Sequence, residues 1–69
     1  MTERHSRLRV RFYPSQGAWT CIVQRVDAEG MPLEDVLSAA GDSRETSRAA
    51  ALSAAIDPEI RHALEASVH

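Results

Sequence analysis

Arginine and apolar residues alternate along Arg7, Leu8, Arg9, Val10, Arg11, Phe12 and Tyr13. Successive side chains of a strand point to opposite faces, so this period of two predicts a strand over 7–13. Leu8, Val10 and Phe12 then share a face that can be buried, and Arg7, Arg9 and Arg11 share a cationic one. Pro14-Ser15-Gln16-Gly17, with proline early and glycine late, predicts a turn. Residues 18–26 include Trp19, Thr20, Ile22, Val23 and Val26, the β-branched and aromatic types that favour a second strand. The two strands make an antiparallel hairpin. Trp19, Cys21, Val23 and Arg25 fall on one face of the second strand and Thr20, Ile22 and Gln24 on the other, so both faces carry apolar area.

Asp27 to Pro32 reads as a loop. From Leu33 to Ala40 two periods compete. Leu33, Val36 and Leu37 fit helical spacing, while Val36, Ser38 and Ala40 against Leu37 and Ala39 fit a strand. A third strand over 34–40 is adopted. Gly41-Asp42-Ser43-Arg44-Glu45 then opens a helix, with Asp42 or Ser43 as cap; under Asp42, Glu45 takes the reciprocal position of a capping box. Ala49, Leu52, Ala55 and Ile56 follow helical periodicity, and the alanines favour helix and permit close approach to a sheet. Asp57-Pro58 stops that helix and starts another, because the residue before proline resists the α conformation and proline suits the first helical position. Ile60, Ala63, Leu64 and Val68 supply its apolar stripe. The order β-β-β-α-α predicts an α+β fold, an antiparallel sheet packed by one or two C-terminal helices.

Sixty-nine residues make a single domain, 1–69, with residues 1–6 expected to fray. So short a chain buries a smaller fraction of its surface than a larger one and is marginally stable alone. Cys21 is the only cysteine, so no internal disulfide can staple the fold, and no cysteine–histidine cluster suggests structural zinc. A partner subunit is the remaining staple, which predicts a homodimer or a small protein partner. No leader-like apolar segment follows Met1, and no apolar run suffices to cross a bilayer, so a cytoplasmic chain without a membrane role is expected.

The net charge is −2, but residues 1–26 hold five arginines against one acid, and residues 27–69 hold three arginines against nine. Lysine is absent. The positive charge is thus concentrated at the front, and an acidic whole is not a general polyanion binder. Arg7, Arg9 and Arg11 span roughly 13 Å along a strand, and Tyr13 extends the same face. Arginine plus an aromatic is what a single-stranded nucleic acid would use. The same row also serves as a solvated face that keeps an edge strand from pairing promiscuously. Arg44 and Arg48 lie one turn apart at a helix start, where a phosphate could sit, although Glu45 competes for Arg48. Trp19 suits either core or the anchor of an interface.

His62, Glu65 and His69 share a helical face, but no third anchored ligand joins them, so no metal is expected. His5 adds little. Cys21 on a strand reads as a small core hydrophobe rather than a nucleophile. The acids are not paired as acid–base or two-metal chemistry requires, and the three glycines form no phosphate loop. The sequence therefore predicts no enzyme and no cofactor.

Gly17-Ala18-Trp19-Thr20-Cys21-Ile22-Val23, together with Gly41-Asp42-Ser43-Arg44-Glu45 and the helix through Ala49, Ala50 and Ile56, resembles the HicB-like antitoxin domain over roughly residues 8–56. The resemblance implies a sheet-plus-helix fold related to double-stranded-RNA-binding domains, oligomerisation and no catalysis. Full antitoxins of that family neutralise an RNA-cleaving toxin and carry a further DNA-binding segment, for which this chain offers only the helix from Pro58 to Val68. The family's proline-rich segment is replaced here by Gln24-Arg25-Val26. The expected function is that of a small interaction module acting by protein–protein binding and oligomerisation; the alternative is nucleic-acid binding through the arginine-lined strand face.

Overall fold

The alternation that starts at Arg7 forms a strand and runs further than its arginines. The computed structural model describes residues 7–67. They fold as strands β1 (Arg7–Ser15), β2 (Ala18–Val26) and β3 (Pro32–Gly41), followed by helices α1 (Arg44–Ala54) and α2 (Pro58–Ala66). The strands make one antiparallel sheet in the order β1-β2-β3. This is the α+β class that the sequence pattern predicts. The expectations for residues 1–6, His69 and Val68 lie outside the described residues.

Pro14 and Ser15 belong to β1 rather than to the turn, because Ser15 still pairs with Ala18. An edge strand tolerates a proline whose missing N–H has no ladder partner. The turn is reduced to Gln16 and Gly17, both at positive φ (51° and 81°). That is the two-residue geometry whose twist matches a hairpin.

β3 is a strand, and longer than the predicted 34–40. Two register shifts explain why its period looked mixed. Val23 pairs with Leu37 and Gln24 with Asp35, which leaves Val36 as an extra residue; Arg25 pairs with Glu34 and Val26 with Pro32, which leaves Leu33 extra. Such bulges break a strict alternation. The first lets Val36 and Leu37, adjacent in sequence, both pack against the core.

Ser43 caps α1, with its Oγ accepting from the Thr46 N–H at 3.1 Å. This places Thr46, not Glu45, at the third helical position, so the Asp42 capping box does not form. The helix ends at Ala54 rather than near Ile56. Ala55 is buried but already extended, and Ile56 is 91% exposed. The side of α1 that meets the sheet is Ser47, Ala51 and part of Leu52, continued by Ala55 just past its end; Leu52 and Ala55 belong to the predicted stripe, whereas Ala49 and Ile56 are exposed. For α2, Asp57 caps as predicted, accepting from the Glu59 N–H at 2.8 Å, with Pro58 in the first turn.

The core cluster is small: Cys21, Val23, Ala51, Ala55 and Leu64, ringed by half-buried Leu8, Val10, Phe12, Val36, Leu37, Ala39, Leu52 and Ile60. The helices cover one face of the sheet. α1 packs on β2 and β3, and α2 on β1 and α1. Close approach of α1 depends on Gly41. A Cβ there would stand 2.5 Å from Ser47 N and 2.7 Å from the Thr46 carbonyl carbon.

Candidate functional site: the open face of the sheet

The unbroken register of β1 with β2 decides which side chains share the uncovered face. Arg7 stands opposite Val26, Arg9 opposite Gln24, Arg11 opposite Ile22 and Tyr13 opposite Thr20. Directly opposed residues of an antiparallel pair project on the same side. Leu8, Val10 and Phe12 reach the core on the helix side, so Arg7, Arg9, Arg11 and Tyr13 form one row on the other. All four are exposed.

Arg11 lies over the Tyr13 ring at 5.5 Å from its centroid, a cation–π pair along the strand. Arg9 leans towards the turn between β2 and β3: a Cβ on Gly30 would stand 3.2 Å from its Nη2. That turn is held by Asp27, whose Oδ1 accepts from the Glu29 N–H at 3.0 Å and the Met31 N–H at 2.9 Å. In the middle of the face, Gln24 Nε2 donates to Asp35 Oδ1 at 3.0 Å, while Gln24 Oε1 is buried without a hydrogen-bond partner. The one ion pair among the described residues, Arg25 with Glu34 at 3.8 Å, leaves the arginine row out.

The other three residues singled out in the sequence stand elsewhere. Trp19 pairs with Pro14 and Gly41 and is half-buried near the start of α1. Arg44 lies over the Phe12 ring at 4.6 Å and over the Trp19 ring at 5.9 Å, so its guanidinium tops an aromatic cluster. Arg48 points to the end of α2, with Nε donating to the Leu64 carbonyl at 2.8 Å and Nη2 to the Glu65 carbonyl at 3.4 Å. The structure thus joins Arg7, Arg9, Arg11 and Tyr13 in one row and keeps Trp19, Arg44 and Arg48 apart from it.

Sequence reading missed Arg61. Its Nη1 donates to the Leu52 carbonyl at 2.8 Å and the Ala55 carbonyl at 3.3 Å. Each helix therefore sends an arginine to the last carbonyls of the other, adding to the cap N–H of Ser67 on Leu64 and of Ala55 on Leu52. No local pattern announces a reciprocal cap, because the partners lie 9 and 16 positions apart. Ile56, read with the apolar stripe of α1, is exposed instead.

Burial pushes the Cys21 thiol up from its ordinary value, with Arg48 acting weakly in the opposite sense. A thiol held protonated and enclosed is a poor nucleophile. Among the described residues no three histidine, cysteine or acidic side chains come together as a metal site would need, and His62 and Glu65 gain no third ligand from another element. Among the described residues, no helix is long and apolar enough to cross a membrane.

Comparison with protein-family models, curated proteins and solved structures finds no match.

Proposed function

We propose that this chain is a small non-enzymatic interaction module that works by binding another protein and by self-association. The observation that carries the reading is the exposed row along β1 on the outer face. Arg7, Arg9, Arg11 and Tyr13 are exposed in one row on a sheet whose other face is closed by helices. A row of cations that makes no ion pair among the described residues adds little to folding and is available to a partner. The nearly bare Ile56, with Met31 and Leu33, adds apolar area of the kind that association buries. The resemblance to HicB-like domains, which oligomerise and do not catalyse, supports the same class, as does a core too small to give a large stability margin.

Nucleic-acid binding is the alternative, favoured by the Arg11–Tyr13 pair, which offers a charge and a ring side by side. Two measurements separate the readings. Sedimentation equilibrium of the pure chain is expected to give a dimer or larger species. A salt titration with mixed-sequence oligonucleotides is expected to show weak binding with a shallow slope. Steep, tight binding that is lost in Arg9→Gln would replace the protein reading with the nucleic-acid one.

A further inference from the structure

We propose that β1 is a docking edge that takes an extended segment of another protein as a fourth strand, with acidic side chains alternating on the outer face and apolar ones on the helix side. The inference rests on the protein-binding reading and names the partner's chemistry.

The two edges of the sheet are not alike. β3 begins at Pro32 and carries two register shifts within ten residues. Prolines and bulges are the devices that stop an edge from adding a strand. β1 has no shift in nine residues, and its only proline, Pro14, lies next to its end. Among the described residues β1 pairs with β2 alone, so the backbone groups on its far side have no ladder partner.

Both faces of that edge specify what could pair there. On the helix side, Leu8, Val10 and Phe12 are only half-buried, whereas Cys21 and Val23 beside them on β2 are fully buried. A neighbouring strand with apolar residues in register would complete their cover. On the outer side, Arg7, Arg9 and Arg11 meet any added strand at every second residue. Like charges directly opposite are unfavourable, and opposite charges favourable. A second copy pairing through its own β1 would bring arginine against arginine. A second copy pairing through β3 would have to use the bulged edge, and such head-to-tail pairing would not close. An alternating acidic and apolar strand from a different protein meets both requirements, and the arginines then act by rejecting other strands as well as by attracting this one.

The test uses the full chain, labelled with nitrogen-15, and an end-blocked eight-residue peptide alternating valine and glutamate. Exchange of the β1 amides that point away from β2 is expected to slow at least tenfold in the presence of the peptide. Replacing its glutamates with lysine, or methylating its backbone nitrogens, is expected to weaken binding at least tenfold. Arg9→Glu with Arg11→Glu, checked for folding by circular dichroism, is expected to reverse the preference towards the lysine peptide. Equal binding of the lysine peptide, or no slowing of β1 exchange, overturns the inference. Equal binding of the N-methylated peptide also overturns it, because the contact is then through side chains, and the protein-binding reading survives. No peptide binding combined with tight, salt-steep oligonucleotide binding overturns both.

Discussion

The helix-side face of the sheet closes on Cys21, Val23, Ala51, Ala55 and Leu64, whereas the outer face carries Arg7, Arg9, Arg11 and Tyr13 with, among the described residues, no helix over them. The first face is made of small side chains that let α1 approach until Gly41 meets the backbone of Thr46 and Ser47. Close packing of that kind has no slack, so changes of one methyl are felt. Along β1 the second face carries long, exposed side chains with few fixed contacts, although Val26, opposite Arg7, is buried there. Most of the packed core therefore lies on one face, and the exposed row that can recognise another molecule lies on the other.

Substitutions should expose that division. The largest effect is expected at Leu64, the bulkiest of the fully buried side chains and the point where α2 is anchored. Leu64→Ala should cost about 2–5 kcal/mol, as buried leucine truncations do, and a urea titration followed by circular dichroism should find the chain largely unfolded. Next comes Gly41→Ala. Its new methyl meets backbone rather than a yielding side chain, so a loss of about 1–3 kcal/mol is expected on the same assay. Arg48→Met should cost of order 1 kcal/mol, by leaving the Glu65 carbonyl to water and the Leu64 carbonyl to Ser67 alone, whose Oγ donates to it at 2.7 Å.

A smaller effect follows from Cys21. The folded chain holds the thiol proton to higher pH than the unfolded chain does. Stability from this group is full below the unfolded thiol's value and is lost as pH rises above it, because only the unfolded state then releases the proton. Cys21→Ala should flatten the alkaline decline in urea midpoints, and native Cys21 should react slowly with a thiol reagent until the fold opens. A decline of unchanged slope in the variant would show that Cys21 contributes nothing to it. The smallest effect is expected on the other face, where changing Arg7, Arg9 or Arg11 to glutamine should alter stability by less than about 0.5 kcal/mol.

What could be read in the chain follows the same division. The alternation at 7–13 named the row on β1 correctly because its register with β2 has no shift. β3 resisted the same reading, since its two extra residues, Val36 and Leu33, make a broken period of two look partly helical. The existence of α1 was legible from its alanines, and Leu52 and Ala55 pack inward as read, but Ser47 and Ala51 are buried where Ala49 and Ile56 were expected. Ser47 looks polar and Ile56 looks like core, and the choice between them was made by the chain leaving the helix at Ala55. Asp57-Pro58 fixed the start of α2 because that pair acts through local geometry alone. The reciprocal caps of Arg48 and Arg61 join residues distant in sequence, and no local signal carries them.

The central claim is that the arginine row recognises a partner and does not hold the fold. It is tested most directly by one variant that changes Arg7, Arg9 and Arg11 together to glutamine. Its urea midpoint and its binding of the alternating valine–glutamate peptide would be measured side by side with the native chain. The account predicts a midpoint close to the native one and an affinity at least tenfold weaker. A midpoint that falls as far as that of Gly41→Ala, or an affinity that does not change, would contradict it.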